Sequence, residues 1–139
     1  MPNYLITGAA GFIGSHFCEY MVSKYPDSIF VGYDKLTYAG KMENLDSVIS
    51  HNNFHFIKGD ITDYSKVFET LTKFKIDIIV NFAAESHVDR SIEDSRAFIH
   101  TNVLGTQIML DAAKKHNVKR FHQVSTDEVY GDLPLDRKD

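Results

Sequence analysis

Two stretches of the 139-residue chain hold residue types suited to chemistry. Near its end, Ser125, Thr126, Asp127 and Glu128 stand side by side directly after an apolar run, Phe121 to Val124. Two close carboxylates resist ionising together, so one tends to keep a proton while the other loses it, and the pair then supplies both an acid and a base. The same pair at a strand end is also the composition of a solvated turn. Adjacent strand residues point to opposite faces, so both acids enter one site only if the backbone turns there, a turn that Gly131 would assist. Near the beginning, Tyr4 to Thr7 runs straight into Gly8-Ala9-Ala10-Gly11-Phe12-Ile13-Gly14. Glycines suit a phosphate site here: a tight turn, bare backbone beside a pyrophosphate and close helix–sheet packing each call for a missing side chain. The N-terminus of the next helix offers free N–H groups and partial positive charge to an anion. The spacing GxxGxxG is one residue wider than GxGxxG, and glycine-rich turns are common. The strand before and the helix after are what raise the reading.

Asp34 closes a second apolar run, IFVGYD, twenty residues after Gly14. A dinucleotide fold places there the acid that holds the adenosine ribose hydroxyls. A carboxylate at that point repels a 2′-phosphate and favours NAD over NADP, a preference that the adjacent Lys35 softens. Asp60 and Ile61 end a third run in the same way, although a Gly-Asp pair taken alone reads as a plain turn.

These residues need elements to carry them. Tyr4–Thr7, Ile29–Tyr33, Phe54–Ile57, Ile76–Asn81 and Phe121–Val124 are strand-length, rich in β-branched and aromatic residues, and lack polar alternation, as strands buried on both faces do. Helix-length segments lie between them. Gly11–Lys24 places Ile13, Phe17, Tyr20 and Met21 on one side, and Arg96–His116 carries Ala97, Thr101, Leu104, Ile108 and Ala112 at helical spacing. Lys41–Ser50 and Tyr64–Phe74 are weaker helical segments, the second introduced by Thr62-Asp63 as caps. The alternation predicts an α/β fold, a doubly wound parallel sheet of about five strands with helices on both faces. The length predicts one domain over residues 1–139.

The formal net charge of −4, with acidic and basic residues interspersed, argues against a nucleic-acid or membrane face and for a small-molecule ligand. The single cysteine, Cys18, forms no internal disulfide, no run approaches a membrane span, and MPNYLITG, with no charged leader before an apolar run, is not expected to be a signal peptide. A cytoplasmic location is the expectation.

In this order, TGAAGFIGSH, DKLTYAGKMENL, GDIT, NFAAESHVDRSI, TNVLGTQIMLDAA and VSTDEVYGD resemble the N-terminal half of the dTDP-glucose 4,6-dehydratases. These are NAD-dependent members of the extended short-chain dehydrogenase/reductase family, with a Rossmann-like fold, and the likeness spans essentially the whole chain. The plant-type UDP-glucose 4,6-dehydratases share much of the pattern, so the chemistry is better determined than the nucleotide. The resemblance implies backbone contacts to the pyrophosphate from Phe12 and Ile13, and places Asp34, Lys35, Leu36 and Thr37 around the adenosine ribose and phosphate. It implies that Asp60 and Ile61 bracket adenine, that Phe82, Ala83, Ala84, Glu85 and Ser86 run beneath the cofactor, and that Thr101 approaches it. Ser86 would also reach the sugar.

The chemistry implied is oxidation of the glucosyl C4, loss of water across C5 and C6, and reduction at C6. In it Glu128 is the base at C5, Asp127 the acid for the C6 hydroxyl, and Thr126 a donor to the C4 oxygen. A homodimer and the substrate dTDP-glucose come with the resemblance. Competing readings are a non-catalytic dinucleotide-binding module, which needs no such acid and base, and an epimerase or decarboxylase of the same family, which performs no dehydration.

The family's Tyr-x-x-x-Lys pair has one match in spacing, Tyr20 and Lys24, inside the first helix and far from the glycine turn. It reads as coincidence, with Tyr20 as core packing and Lys24 solvated. The working pair and a smaller substrate domain are expected beyond Asp139, leaving residues 1–139 inactive by themselves. His51 and His55 lack a helix to align them and a third ligand, so no metal is expected. His87, beside Ser86, would line a sugar pocket.

Overall fold

The apolar runs form β1 (Tyr4–Thr7), β2 (Phe30–Asp34), β3 (Phe54–Lys58), β4 (Ile78–Asn81) and β5 (Arg120–Gln123). The structure, a computed structural model, describes residues 1–86, 95–126, 129 and 131. All neighbouring strands pair in parallel, in the order β3-β2-β1-β4-β5. The chain therefore steps from β1 outward to β3 and then returns to the other side of β1. Over the carboxyl ends of β1 and β4 lies the switch point, where sheets of this Rossmann type receive ligands.

Helix α1 (Phe12–Lys24) and a 3₁₀ turn (Met42–Leu45) cover one face, enclosing Ile6, Phe30, Cys18, Val22, Leu45 and Val48. On the other face α2 (Tyr64–Phe74) and a long helical segment bury Leu5, Val31, Ile79, Val67, Leu71 and Met109. Helix α2 begins where the capping signal lies, with the Asp63 carboxylate accepting the Lys66 N–H at 3.0 Å. Only Met42–Leu45 of the expected Lys41–Ser50 helix is helical, as the 3₁₀ turn.

The faces of two helical segments also differ from expectation. Helix α1 buries Gly14, Ser15, Cys18, Met21 and Val22, while Ile13 and Tyr20 are 62% and 56% exposed. At its first turn the helix lies too close to the sheet to admit a large side chain, a Cβ on Gly14 standing 2.1 Å from the Gly8 carbonyl oxygen, whereas further along Met21 is buried and Phe17 packs against the core, as expected. Tyr20 is not a core residue.

The expected helix Arg96–His116 is α3 (Ser95–Phe98), a π-helix (Ile99–Gly105) and α4 (Thr106–His116). The wider π turn shifts the helical phase, so that Gly105, Met109, Ala112 and Ala113 face inward while Ala97 and Leu104 are exposed. Gly105 sits so near Ile61 that a Cβ there would lie 2.6 Å from Ile61 Cδ1. Among the described residues β5 is the outermost strand on its side of the sheet, with Arg120, His122 and Gln123 exposed.

Candidate functional site

The glycine turn joins β1 to α1. Gly8 adopts φ +64°, the left-handed region that a side chain disfavours, and a Cβ on it would lie 2.8 Å from Ala83 N and Phe82 C. The turn thus presses against the chain leaving β4. Gly11 N donates to the Gly8 carbonyl at 3.1 Å, and a Cβ on Gly11 would meet only that oxygen, at 3.3 Å. Among the described residues the outer side of Gly11 is open. Among the described residues no side chain caps α1, which leaves its first-turn N–H groups to solvent or a ligand. Phe12 and Ile13 turn their side chains outward, so backbone is what they offer at this end. A bare, open turn at an uncapped helix N-terminus fits a pyrophosphate.

Asp34 reaches into this turn from the end of β2. The residue is 9% exposed, and its carboxylate accepts Ala10 N at 2.9 Å on one oxygen and Leu36 N at 2.8 Å on the other. A carboxylate has about four acceptor positions, so each oxygen keeps one for a hydroxyl. The Ala10 carbonyl in turn accepts Lys41 N at 3.1 Å and Asn44 Nδ2 at 2.8 Å, tying the loop after β2 to the glycine turn. Gly40 allows the loop to fold over the acid, since a Cβ there would stand 2.7 Å from Asp34 Oδ1. Leu36 is held at φ +58°, and its side chain packs into the core on the α1 face, while Thr37 is exposed. Cys18 is buried on that face, its thiol pushed up to about 12 by burial and by the negative charge of Asp34, so it stays protonated and inert.

Lys35 pairs with Asp60 at 2.6 Å across the ends of β2 and β3. Burial acts to raise the Asp60 pKa, but the hydrogen bonds from Lys35 and from Thr62, with the Lys35 charge, outweigh it and hold the group below the ordinary carboxylate value. Lys35, Lys58, Gly59, Asp60 and Lys66 line a cavity of about 360 Å³ at this end of the sheet. Ile61 follows Asp60 and is 4% exposed, its side chain filling the space left by Gly105.

Beyond β4, Phe82 packs on Phe17 with ring centroids 5.2 Å apart, Ala83 is half-buried, and Ala84 and Ser86 are exposed. Asn102 of the π-helix clamps Glu85 twice, accepting its N–H and donating to its carbonyl, both at 2.8 Å. Thr101, beside it, is half-buried. Sequence reasoning singled out Thr101 and passed over Asn102, although an amide side chain able to mimic a backbone partner was the available signal. Asn102→Ala is expected to weaken dinucleotide binding about tenfold while lowering stability by about 1–2 kcal/mol, the net worth of two exposed hydrogen bonds. Calorimetric titration beside thermal unfolding checks this, and an unchanged affinity would show that the Glu85 backbone needs no anchor.

Past β5, Val124 N donates to the Asn81 carbonyl at 3.1 Å, and Ser125 and Thr126 are exposed. The Thr126 carbonyl accepts Val129 N at 3.5 Å, and Gly131 takes φ +67°. Asp127, Glu128 and His87 lie outside the described residues. Lys24 Nζ does hydrogen-bond the Tyr20 hydroxyl, but on the exposed far end of α1, nine residues and about 14 Å of helix from Gly11. His55 packs on the Phe74 ring, 5.1 Å between centroids, and among the described residues no three His, Cys, Asp or Glu side chains gather as a metal site would require. No helix among them is long and apolar enough to cross a membrane.

Known proteins resemble this arrangement. The sequence pattern of the GDP-mannose 4,6 dehydratase family matches residues 5–138. The low-salt glycan biosynthesis protein Agl12 of Haloferax volcanii is 51% identical over 131 residues, covering 94% of this chain and 41% of that protein. The dTDP-glucose 4,6-dehydratase of Salmonella typhimurium is 44% identical, covering 94% of this chain and 38% of the relative. The crystal structure of DesIV, a dTDP-glucose 4,6-dehydratase from Streptomyces venezuelae with NAD and TYD bound, is 46% identical and superposes with a TM-score of 0.87 over 95% of this chain and 42% of that one. The chain thus spans about two fifths of the length of these relatives.

Proposed function

Because this chain belongs to the GDP-mannose 4,6 dehydratase family, we propose that it is the NAD-binding part of a dTDP-glucose 4,6-dehydratase. The observation that carries the reading is the Asp34 carboxylate, drawn into the glycine turn by Ala10 N and retaining acceptor positions where an adenosine ribose would lie. The nucleotide and sugar follow the relatives from Salmonella typhimurium and Streptomyces venezuelae. The residues proposed around NAD are Gly8, Gly11, Phe12, Ile13 and Gly14 at the pyrophosphate, Asp34 to Thr37, Asp60 and Ile61 at the adenosine, and Phe82 to Ser86 with Thr101 beneath the nicotinamide half. Exposed Ile99, Val103, Leu104 and Leu110 on the long helical segment support self-association as a homodimer.

NAD, when bound, takes up the electrons released at the sugar C4 and returns them at C6. Thr126 donates a hydrogen bond to the C4 oxygen. A C4 carbonyl acidifies the C5 hydrogen, which Glu128 removes as general base while Asp127 protonates the departing C6 hydroxyl. The two are adjacent in sequence, and where the backbone brings both carboxyls into one site, the ionised one would disfavour ionisation of its partner.

The test of the cofactor is comparative. NAD is expected to bind more tightly than NADP, and Asp34→Ala to narrow that gap by about tenfold, because it removes the charge that repels a 2′-phosphate. The variant also strands the Ala10 and Leu36 N–H groups, so the ratio of affinities is the readout, not either affinity alone. Equal binding of the two nucleotides by the unmodified chain would sink the assignment of Asp34.

A further inference from the structure

A run of polar side chains crosses three adjacent strands beneath the glycine turn. Thr7 Oγ1 on β1 donates to Asn81 Oδ1 on β4. Asn81 Nδ2 donates to Gln123 Oε1 on β5 at 2.8 Å, and Gln123 Nε2 to the Val124 carbonyl at 3.3 Å. The three residues stand in register, Thr7 opposite Asn81 and Asn81 opposite Gln123. Thr7 and Asn81 are fully buried, in strands whose other positions are apolar. Polar groups there cost free energy unless every one is bonded, and among the described residues no buried side-chain nitrogen or oxygen lacks a partner. Strength alone would be served as well by valine and leucine, so the ladder's distinctive property is directional. It holds three strand ends at one level.

Each rung leads directly into a piece of the site. Gly8 comes after Thr7, Phe82 and Ala83 after Asn81, Val124 and Ser125 after Gln123. Thr7 Oγ1 also accepts Ala83 N at 3.4 Å, across the gap where a Cβ on Gly8 would collide. We infer that Thr7, Asn81 and Gln123 are positioning residues: they set the separation between the glycine turn and segment 82–86, so that one dinucleotide can lie across both. The inference rests on the NAD reading above. None of the three needs to touch the ligand.

A ligand that spans both pieces should feel the ladder, and one that uses only the turn and the ends of β2 and β3 should not. NAD is the first kind of probe and AMP the second. Thr7→Val keeps the shape of the side chain and removes the hydroxyl, and Asn81→Leu removes the central rung. Each is expected to weaken NAD binding about tenfold with AMP affinity within about twofold of the unmodified chain, and the double variant to lose little more than either single one, since one unit is broken once. Should Asn81→Leu fail to fold, Thr7→Val decides the matter. Proportional weakening of NAD and AMP would reveal general loosening of the sheet and overturn the proposal, as would a Thr7→Val chain that binds NAD like the unmodified one. An unmodified chain that binds no NAD would remove the cofactor reading and the ladder's role together.

Discussion

Gly14→Ala is expected to abolish measurable dinucleotide binding and to destabilise the chain by on the order of 3 kcal/mol, toward the upper end of what one added methyl group costs in a packed interior. The added Cβ would stand 2.1 Å from Gly8 O, 2.9 Å from Gly8 C and 3.1 Å from Ala9 Cα, all of them backbone atoms. No rotamer change relieves that clash. The turn has nowhere to retreat, because Gly8 is already pressed against Phe82 and Ala83, and Ala10 is bound to Asp34, Lys41 and Asn44. Alanine's better helix propensity returns about 1 kcal/mol, which is too little to reverse the sign. Gly11→Ala is the contrasting variant. Its Cβ would meet only Gly8 O, at 3.3 Å, and otherwise points into the open space proposed for the pyrophosphate. It should unfold within about 1 kcal/mol of the unmodified chain, a change typical at a helix cap, and still bind NAD at least about tenfold more weakly. Denaturant unfolding and NAD titration of both variants separate the two effects. A Gly14→Ala chain as stable as its parent would mean that α1 does not lie this close to the turn.

The two glycines also illustrate what was legible in the sequence. The parallel sheet could be read because β1, β2 and β4 are buried continuous apolar runs that no helical period fits. Asp34 could be read because its distance from Gly14 is set by the length of α1 and the return to β2. Helix α2 announced its start through Asp63. The inward face of α1 was legible only in part: Met21 and Phe17 do face the core, but close approach to the sheet selected Gly14, Ser15 and Cys18, while Ile13 and Tyr20 went outward. The π-helix was equally hidden. A seven-residue change of pitch, Ile99–Gly105, moves the buried face of the long segment, and nothing in local propensity distinguishes it from an α-helix.

The residues around the candidate site that escaped notice are those that brace its backbone segments and strand ends. Asn44 binds the carbonyl of Ala10, Asn102 binds Glu85, and Thr7 with Asn81 ties one strand end to the next. Their partners are peptide groups or buried side chains on other elements, 17 to 74 residues away in the chain, so no spacing rule points to them. Thr7 and Asn81 did carry one signal, a polar residue closing an otherwise apolar run. In a strand buried on both faces that polarity requires a partner, and the requirement could have been stated without knowing which residue meets it.

The largest effect is expected at the acidic pair. Glu128→Gln should slow elimination by about 10²–10⁴, the contribution typical of a general base, while leaving NAD affinity and oxidation at C4 intact. Glutamine keeps the size of the side chain but cannot accept the C5 proton. The suitable protein is a chimera in which residues 1–139 replace the matching N-terminal part of the Salmonella typhimurium dTDP-glucose 4,6-dehydratase, 44% identical to them. In the variant chimera the reduced cofactor should accumulate on mixing with dTDP-glucose, because the sugar is oxidised and then cannot lose water. Asp127→Asn should also accumulate reduced cofactor, with C5 deprotonated reversibly and the C6 hydroxyl retained, so exchange of the C5 hydrogen with solvent deuterium should persist in Asp127→Asn and vanish in Glu128→Gln. That split assigns the roles independently of overall rate. Residues 1–139 by themselves are the blank: their one Tyr-x-x-x-Lys spacing, Tyr20 to Lys24, is exposed at the end of α1 away from the glycine turn, so no keto sugar should form. A Glu128→Gln chimera that eliminates water at the unmodified rate would refute the assignment, and deuterium exchange lost in both variants alike would show that the two carboxyls share a single proton-transfer role instead of dividing it.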